Sequence, residues 1–346
     1  MPLLLSHNSS LERLRSIPSQ VDSAVRTAGD VYLQSVVPKA RELSTLDPSS
    51  LGISQRPIHH LIPSSVRRRQ TAGAKSHLCQ IEKIPRGLLL DLGEERYAAG
   101  PELTFIQMAN QTSLIGSVVL GHELCGTYSQ FACFASGFYE RPALTSVEGI
   151  DRAIGSLKQA GLRGTSAARR ALRWVRDGSA SPMETVVSCM LHLPRSMGGF
   201  GLVAPALNYE QQLDDAAKAI TGKETCRVDT AYVYELDGVP KKEGIEFDGK
   251  DYHRDAEADR VRREALAHMG WTIYVLNVDD LTSYRKIKEK VALLDDVPKQ
   301  RSGGRPNDRE GRLLLDRLLR ATRFGVGLNA AFFGAKIPSG KVKLHL

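Results

Sequence analysis

The sequence has no two cysteines at the two-to-four-residue spacing that a zinc site needs; Cys79, Cys125, Cys133, Cys189 and Cys226 lie far apart. Their odd number points to reduced thiols and a cytoplasmic setting, and argues against a disulfide framework. Nowhere is there a run of about 18 apolar residues, so no membrane-spanning helix is expected. The opening "MPLLLSHNSS" is too short in apolar residues for a secretory signal. "LGHELCG" lacks the second histidine at helical spacing that a helical zinc motif requires. "GVGLNAAFFG" follows a basic helix pattern and not a strand, which excludes a dinucleotide fingerprint. No internal repeat is visible.

What is present is a chain of 346 residues, 42% hydrophobic and 25% charged, long enough for two domains at about 100–200 residues each. The formal net charge of +8 favours an acidic partner, with nucleic acid the commonest; a merely solvated basic surface is the alternative.

From Leu11 to about Lys39 the pattern is polar but helical, and "STLDPSSLGISQRP" breaks it. The runs "IHHLI", "SHLCQIEKI", "GLLLDL" and "ERYAA" read as short strands between prolines and glycines. Gly100-Pro101 then opens a helix, and two further helices are predicted at 146–160 and 165–177. In "SASPMETVVSCMLHL", Ser181 is placed as N-cap, Pro182 at the first helical position and Glu184 three residues after the cap, a pattern that accounts for Glu184 structurally. "FGLVAPAL", "CRVDTAYVYEL" and "KKEGIEF" read as three strands. A helix follows from "HRDAEADRVRREALAHMG", then a buried strand "WTIYVLNV", a helix near 280–293, an exposed linker and a last basic amphipathic helix. The expected organisation is an α+β unit over 1–145, a helical connector over 146–178, a domain over 179–296, and a linker, helix and tail over 297–346.

The chemistry concentrates in "IEFDGKDYH". Glu246 and Asp248 share one face of a strand, and burying two such acids together requires a cation, a proton or a basic partner. Asp229 is an acid within an apolar strand and comes level with Glu246 if "ELDGVPKKEG" makes the turn. Converging carboxylates suit Mg²⁺, which activates water and stabilises charge on a phosphodiester. His253 is placed for proton transfer or a phosphate contact, and Lys250 supplies a cation beside the acids. Arg254 and Arg262 are candidate backbone contacts, as are Arg67, Arg68 and Arg69; a salt-bridged helix face or a solvated turn is the plainer reading of these arginines.

"SPMETVV", "RVDTAYVY", "IEFDGKDYH", "DRVRREAL" and "GWTIYVLNVDDL" stand in an order that resembles the very-short-patch-repair-like endonuclease domains of the PD-(D/E)xK superfamily, over about 179–290. The resemblance implies an α/β fold with a restriction-endonuclease-like mixed sheet flanked by helices, a divalent metal (Mg²⁺ or Mn²⁺) and DNA cleavage. It implies that Asp229 and Glu246 bind metal, that His253 is the family's histidine and that Glu184 is the acid of the first helix. Asp248 stands where the superfamily has its lysine, so Lys250 or histidine chemistry would have to replace that charge, or the domain binds DNA without cutting it. "LLSHNSSLERL", "IHHLIPSS", "SHLCQIEKIP" and "GPELTFIQMA" more loosely resemble the N-terminal region of abortive-infection antitoxin or regulator proteins, which implies a toxin- or antitoxin-type protein partner. A DNA-binding regulator and an RNA-directed nuclease are the competing expectations.

Overall fold

The computed structural model describes residues 1–16, 25–66, 71–130, 137–248, 256–294, 296–300 and 307–323. In the first half, strands β1 (Leu3–Leu5), β2 (Val25–Arg26), β3 (Val31–Tyr32), β4 (Ile58–Pro63), β5 (Ala74–Cys79), β6 (Lys83–Ile84), β7 (Leu89–Asp91) and β8 (Arg96–Ala99) accompany helices α1 (His7–Leu14), α2 (Ala40–Thr45), α3 (Pro101–Ala109) and α4 (Leu114–Cys125). Six of these strands form a mixed sheet in the order β2-β7-β8-β1-β4-β5, while β3 pairs with β6. Of the helix expected across 11–39, the described residues contain α1. The described residues beyond it depart from a single helix because Val31, Leu33 and Val36 are buried in the core, while Val25–Arg26 adds to the sheet beside β7.

Strands β9 (Tyr128–Gln130) and β10 (Phe138–Glu140) form a short ribbon, followed by α5 (Val147–Gln159) and α6 (Thr165–Leu172) as the periodicity predicts. Helix α7 (Pro182–His192) starts as expected: the Ser181 Oγ accepts the Glu184 N–H at 3.1 Å, and proline occupies the first turn. Apolar residues surround α4 and α7 on nearly every side, which is why both run through the interior and not along the surface.

The second sheet contains β11 (Ala206–Gln212), β12 (Thr225–Leu236), β13 (Val239–Asp248) and β14 (Trp271–Asn277) in that spatial order. The first two pairings are antiparallel and the last is parallel. Helix α8 (Asp215–Thr221) links β11 to β12, and α9 (Ala256–His268) supplies the crossover that a parallel β13–β14 pair demands. Strands β12 and β13 meet in a two-residue turn at Asp237-Gly238, both left-handed (φ 51° and 80°), the geometry that matches strand twist. The strand expected in "FGLVAPAL" begins only at Ala206, past Pro205, and continues through the polar "ALNYEQQ" as an edge strand. Helices α10 (Tyr284–Val291) and α11 (Asp308–Arg323) complete the described chain.

Helices and mixed sheets place the molecule in the general α/β class. One contiguous core runs from Leu3 through α3, α4 and α7 to Ile245, Leu276 and Leu318, and so includes residues on both sides of position 178. A smaller cluster on the other side of the second sheet joins Leu213, Ala217, Val228, Ala231, Ala265, Leu266 and Trp271. Gly244 lies in that layer because a Cβ there would sit 2.5 Å from Val228 and 2.8 Å from Ile273. No helix among the described residues is long and apolar enough to cross a membrane.

Candidate active site

The hairpin register decides which acids meet. Thr230 lies opposite Ile245, the last pair of the β12–β13 ladder, so Asp229 and Glu246 fall one step beyond it, in register with each other. On β11 the pairs Leu207–Thr230 and Tyr209–Val228 flank Asn208, whose φ of 48° is left-handed within a strand. Val228 and Ala231 pack in the same small cluster although three positions apart, which a regular two-residue alternation forbids. The irregularity leaves the Phe247 N–H to donate to Asp229 Oδ2 at 3.0 Å.

Glu246 is 6% exposed. Its Oε2 accepts from Arg262, whose other terminal nitrogen donates to the Arg227 carbonyl at 3.1 Å. Among the described residues, its Oε1 is buried without a hydrogen-bond partner. Burial pushes the Glu246 carboxyl up to about 7; Arg262 opposes that rise and Asp229 adds to it.

Glu184 reaches the same neighbourhood from α7. Its Oε2 accepts from the Ala180 N–H at 2.9 Å and from Asn208 Nδ2 at 2.8 Å, and Asn208 also donates to the Gly178 carbonyl. The side chain thus bonds the backbone one residue before the expected cap, and also a strand residue that a capping box does not involve. Burial first, then the charge of Asp229, raises Glu184 to about 7. Asp229 therefore couples electrostatically to both glutamates.

Asp248 ends β13 opposite Asn277 and is exposed, whereas Glu246 on the same strand is buried. Arg262, expected as a phosphate contact, lies one turn before Leu266 on the inward side of α9 and engages Glu246. Of the two exposed arginines of that helix, Arg260 pairs with Glu257 and Glu264, and Arg263 donates to the Asp259 carbonyl. Lys250, His253, Arg254, Arg67, Arg68 and Arg69 lie outside the described residues. Asn208 is the residue that sequence reasoning missed; its one signal was a polar residue inside a strand-length stretch.

Carboxylate oxygens are the donors Mg²⁺ prefers, and the orphaned Glu246 Oε1 is a buried acceptor that fits such an ion in kind. Among the described residues, however, no three His, Cys, Asp or Glu side chains are already gathered to hold a metal ion.

A second polar cluster forms where "LLSHNSS", "IHHLIPSS" and "SHLCQ" converge. The His7 ring stacks on His77 with centroids 3.7 Å apart, and His77 Nε2 lies 3.0 Å from His59 Nδ1. Burial lowers His7 to about 3 and His59 to about 4, so both are neutral at pH 7. Comparison of the chain with family models, with curated proteins and with solved structures finds no match.

Proposed function

We propose that this chain is a metal-dependent DNA endonuclease-like protein whose site is built on Asp229, Glu246 and Glu184, in a second sheet of restriction-endonuclease-like type. The observation that carries the reading is the buried, unpartnered Oε1 of Glu246, beside an Asp229 that couples to two glutamates held up at about 7. Buried carboxylates are costly to ionise, and such cost is commonly retained where a cation or a proton transfer uses it.

Asp229 and Glu246 would hold Mg²⁺ or Mn²⁺. When bound, the ion supplies charge stabilisation and an activated water for phosphodiester hydrolysis. The chain's own residues do the remainder. The Phe247 N–H orients Asp229, Asn208 and the Ala180 N–H orient Glu184, and Arg262 keeps Glu246 at the sheet. With a carboxyl near 7, Glu184 exchanges a proton at neutral pH, as a general acid or base requires. Host defence or DNA processing is the setting consistent with this activity and with an antitoxin-like first half.

The purified chain should nick supercoiled plasmid with Mg²⁺ or Mn²⁺, and Asp229→Asn and Glu246→Gln should each reduce cleavage about 10–100-fold or more, the scale for removing a metal-positioning group. Full activity in both variants would sink the site assignment. One observation favours a non-catalytic DNA-binding regulator instead: Arg262 already supplies Glu246 with a positive charge; under the resemblance, Asp248 would also stand at the superfamily's lysine position. DNA binding with no cleavage in any divalent metal would select that reading.

A further inference from the structure

Helix α6 has a charge distribution that neither the acid site nor the fold explains. From 163 to 176 the chain carries Arg163, Arg169, Arg170, Arg173 and Arg176 and not one aspartate or glutamate. Thr165, Ala168, Ala171 and Leu172 are buried against the core, so the opposite face presents Ser166, Arg169, Arg170 and Arg173, the three- and four-residue spacing of one helical stripe. Arg163, just before the Gly164 cap, is exposed as well. Of these four arginines only Arg169 has an ion pair among the described residues, with Asp151 of α5 at 3.6 Å.

Other charged helices behave differently. On α10, Arg285 pairs with Glu289 and Lys288 with Asp308; on α11, Arg320 pairs with Asp316; on α9, Arg260 has two glutamates. Those helices carry acids within their own sequence that take up part of their positive charge, whereas the α6 stripe has none. Like charges set along one stripe repel, and a solvated face gains nothing from that arrangement without a polyanion.

The location adds a second argument. Five residues after Arg173, the Gly178 carbonyl accepts from Asn208 Nδ2, which also donates to Glu184. Asp177 between them accepts the Val147 N–H at 2.8 Å, fixing this connection to the start of α5. The arginine stripe thus leads by a short, hydrogen-bonded path to the carboxylates.

We infer that Arg163, Arg170 and Arg173 form a contact surface for the phosphate backbone of nucleic acid, holding the strand beside the carboxylate site without reading bases. The inference takes its partner from the proposed function and is independent of whether the acids cut. Arginine suits the role through its fixed fork of donors and weak hydration.

The test uses the full chain with EDTA present, a fluorescent 20-base-pair duplex and a titration of salt. The combined variant Arg163→Gln, Arg170→Gln and Arg173→Gln alters only exposed side chains; its circular dichroism and melting temperature serve as the folding control. Wild type should bind with a steep salt dependence, and the variant should lose at least about tenfold in affinity at 0.1 M salt. Its slope of log affinity against log salt should fall by roughly 3, close to one released counterion per lost contact. Unchanged affinity and slope in a folded variant would overturn the inference, as would wild type that binds no duplex. So would a variant that loses binding to phosphatidylserine vesicles while keeping DNA. The two proposals fail separately: duplex binding in EDTA reads the arginine stripe alone, whereas wild type that binds the duplex but does not cut it in Mg²⁺ or Mn²⁺ counts against the acid site alone.

Discussion

Replacing Glu184 by glutamine should stabilise the protein, and by an amount that depends on pH in a defined way. Its two donors, the Ala180 N–H and Asn208 Nδ2, both approach one oxygen, which a glutamine amide retains. What the substitution removes is a charge that burial and Asp229 disfavour. The folded carboxyl stands at about 7 against an ordinary 4.5, so the folded state prefers the neutral form. The wild type therefore keeps its full stability below pH 4.5 and loses it as pH rises through 7, whereas the variant, always neutral, does not. The displacement corresponds to about 3 kcal/mol once both states are ionised. The advantage of Glu184→Gln should be near zero at pH 4, about 1 kcal/mol at pH 5.5 and about 3 kcal/mol at pH 8, in EDTA. Urea unfolding followed by circular dichroism at those three values measures it directly. A variant less stable than wild type at pH 8, or a difference that does not change with pH, would refute the electrostatic account of the site.

Three other outcomes follow from packing and charge. Arg15 and Glu123 form a buried bidentate pair, with Nε to Oε1 at 2.7 Å and Nη2 to Oε2 at 2.5 Å, so Arg15→Met should cost about 3–5 kcal/mol in urea unfolding by stranding the carboxylate. His122 is fully buried, and burial holds it at about 3, so its contribution is complete above pH 6.5 and is lost as pH falls toward 3; His122→Gln should flatten the acid limb of stability by up to about 1.4 kcal/mol per pH unit. Gly244→Ala should cost about 1–3 kcal/mol, read as a lowered urea midpoint, because its methyl group would overlap Val228 and Ile273.

Local signals were legible in the sequence wherever the chemistry is local. The Asp237-Gly238 turn, the Ser181 cap and the helix–strand alternation after 256 depend on residues within a few positions of each other, and these elements form where the pattern puts them. Once the turn is fixed, the register that brings Asp229 level with Glu246 follows by counting. The first edge strand was displaced because β11 is polar, pairs on one side only and carries a left-handed Asn208 that periodicity does not register. The partner of Glu246 was equally hidden. Arg262 looks like a surface arginine among others, and only the packing of Ala265 and Leu266 turns its side of α9 inward. Glu184 was read as a cap, and the cap exists, yet its carboxylate bonds Asn208 across a gap of 24 residues that no local rule spans.

The core that runs from Leu3 to Leu318 has a consequence for the order of events during synthesis. Helix α11 packs on α4 and α7 and contributes Leu314, Leu315 and Leu318 to the same core as the first strand. A nascent chain that has not yet made 308–323 therefore lacks the partner for the flank of α4 and α7 that α11 covers. A pause in translation before that helix lengthens this exposure, and recognition by chaperones should concentrate there.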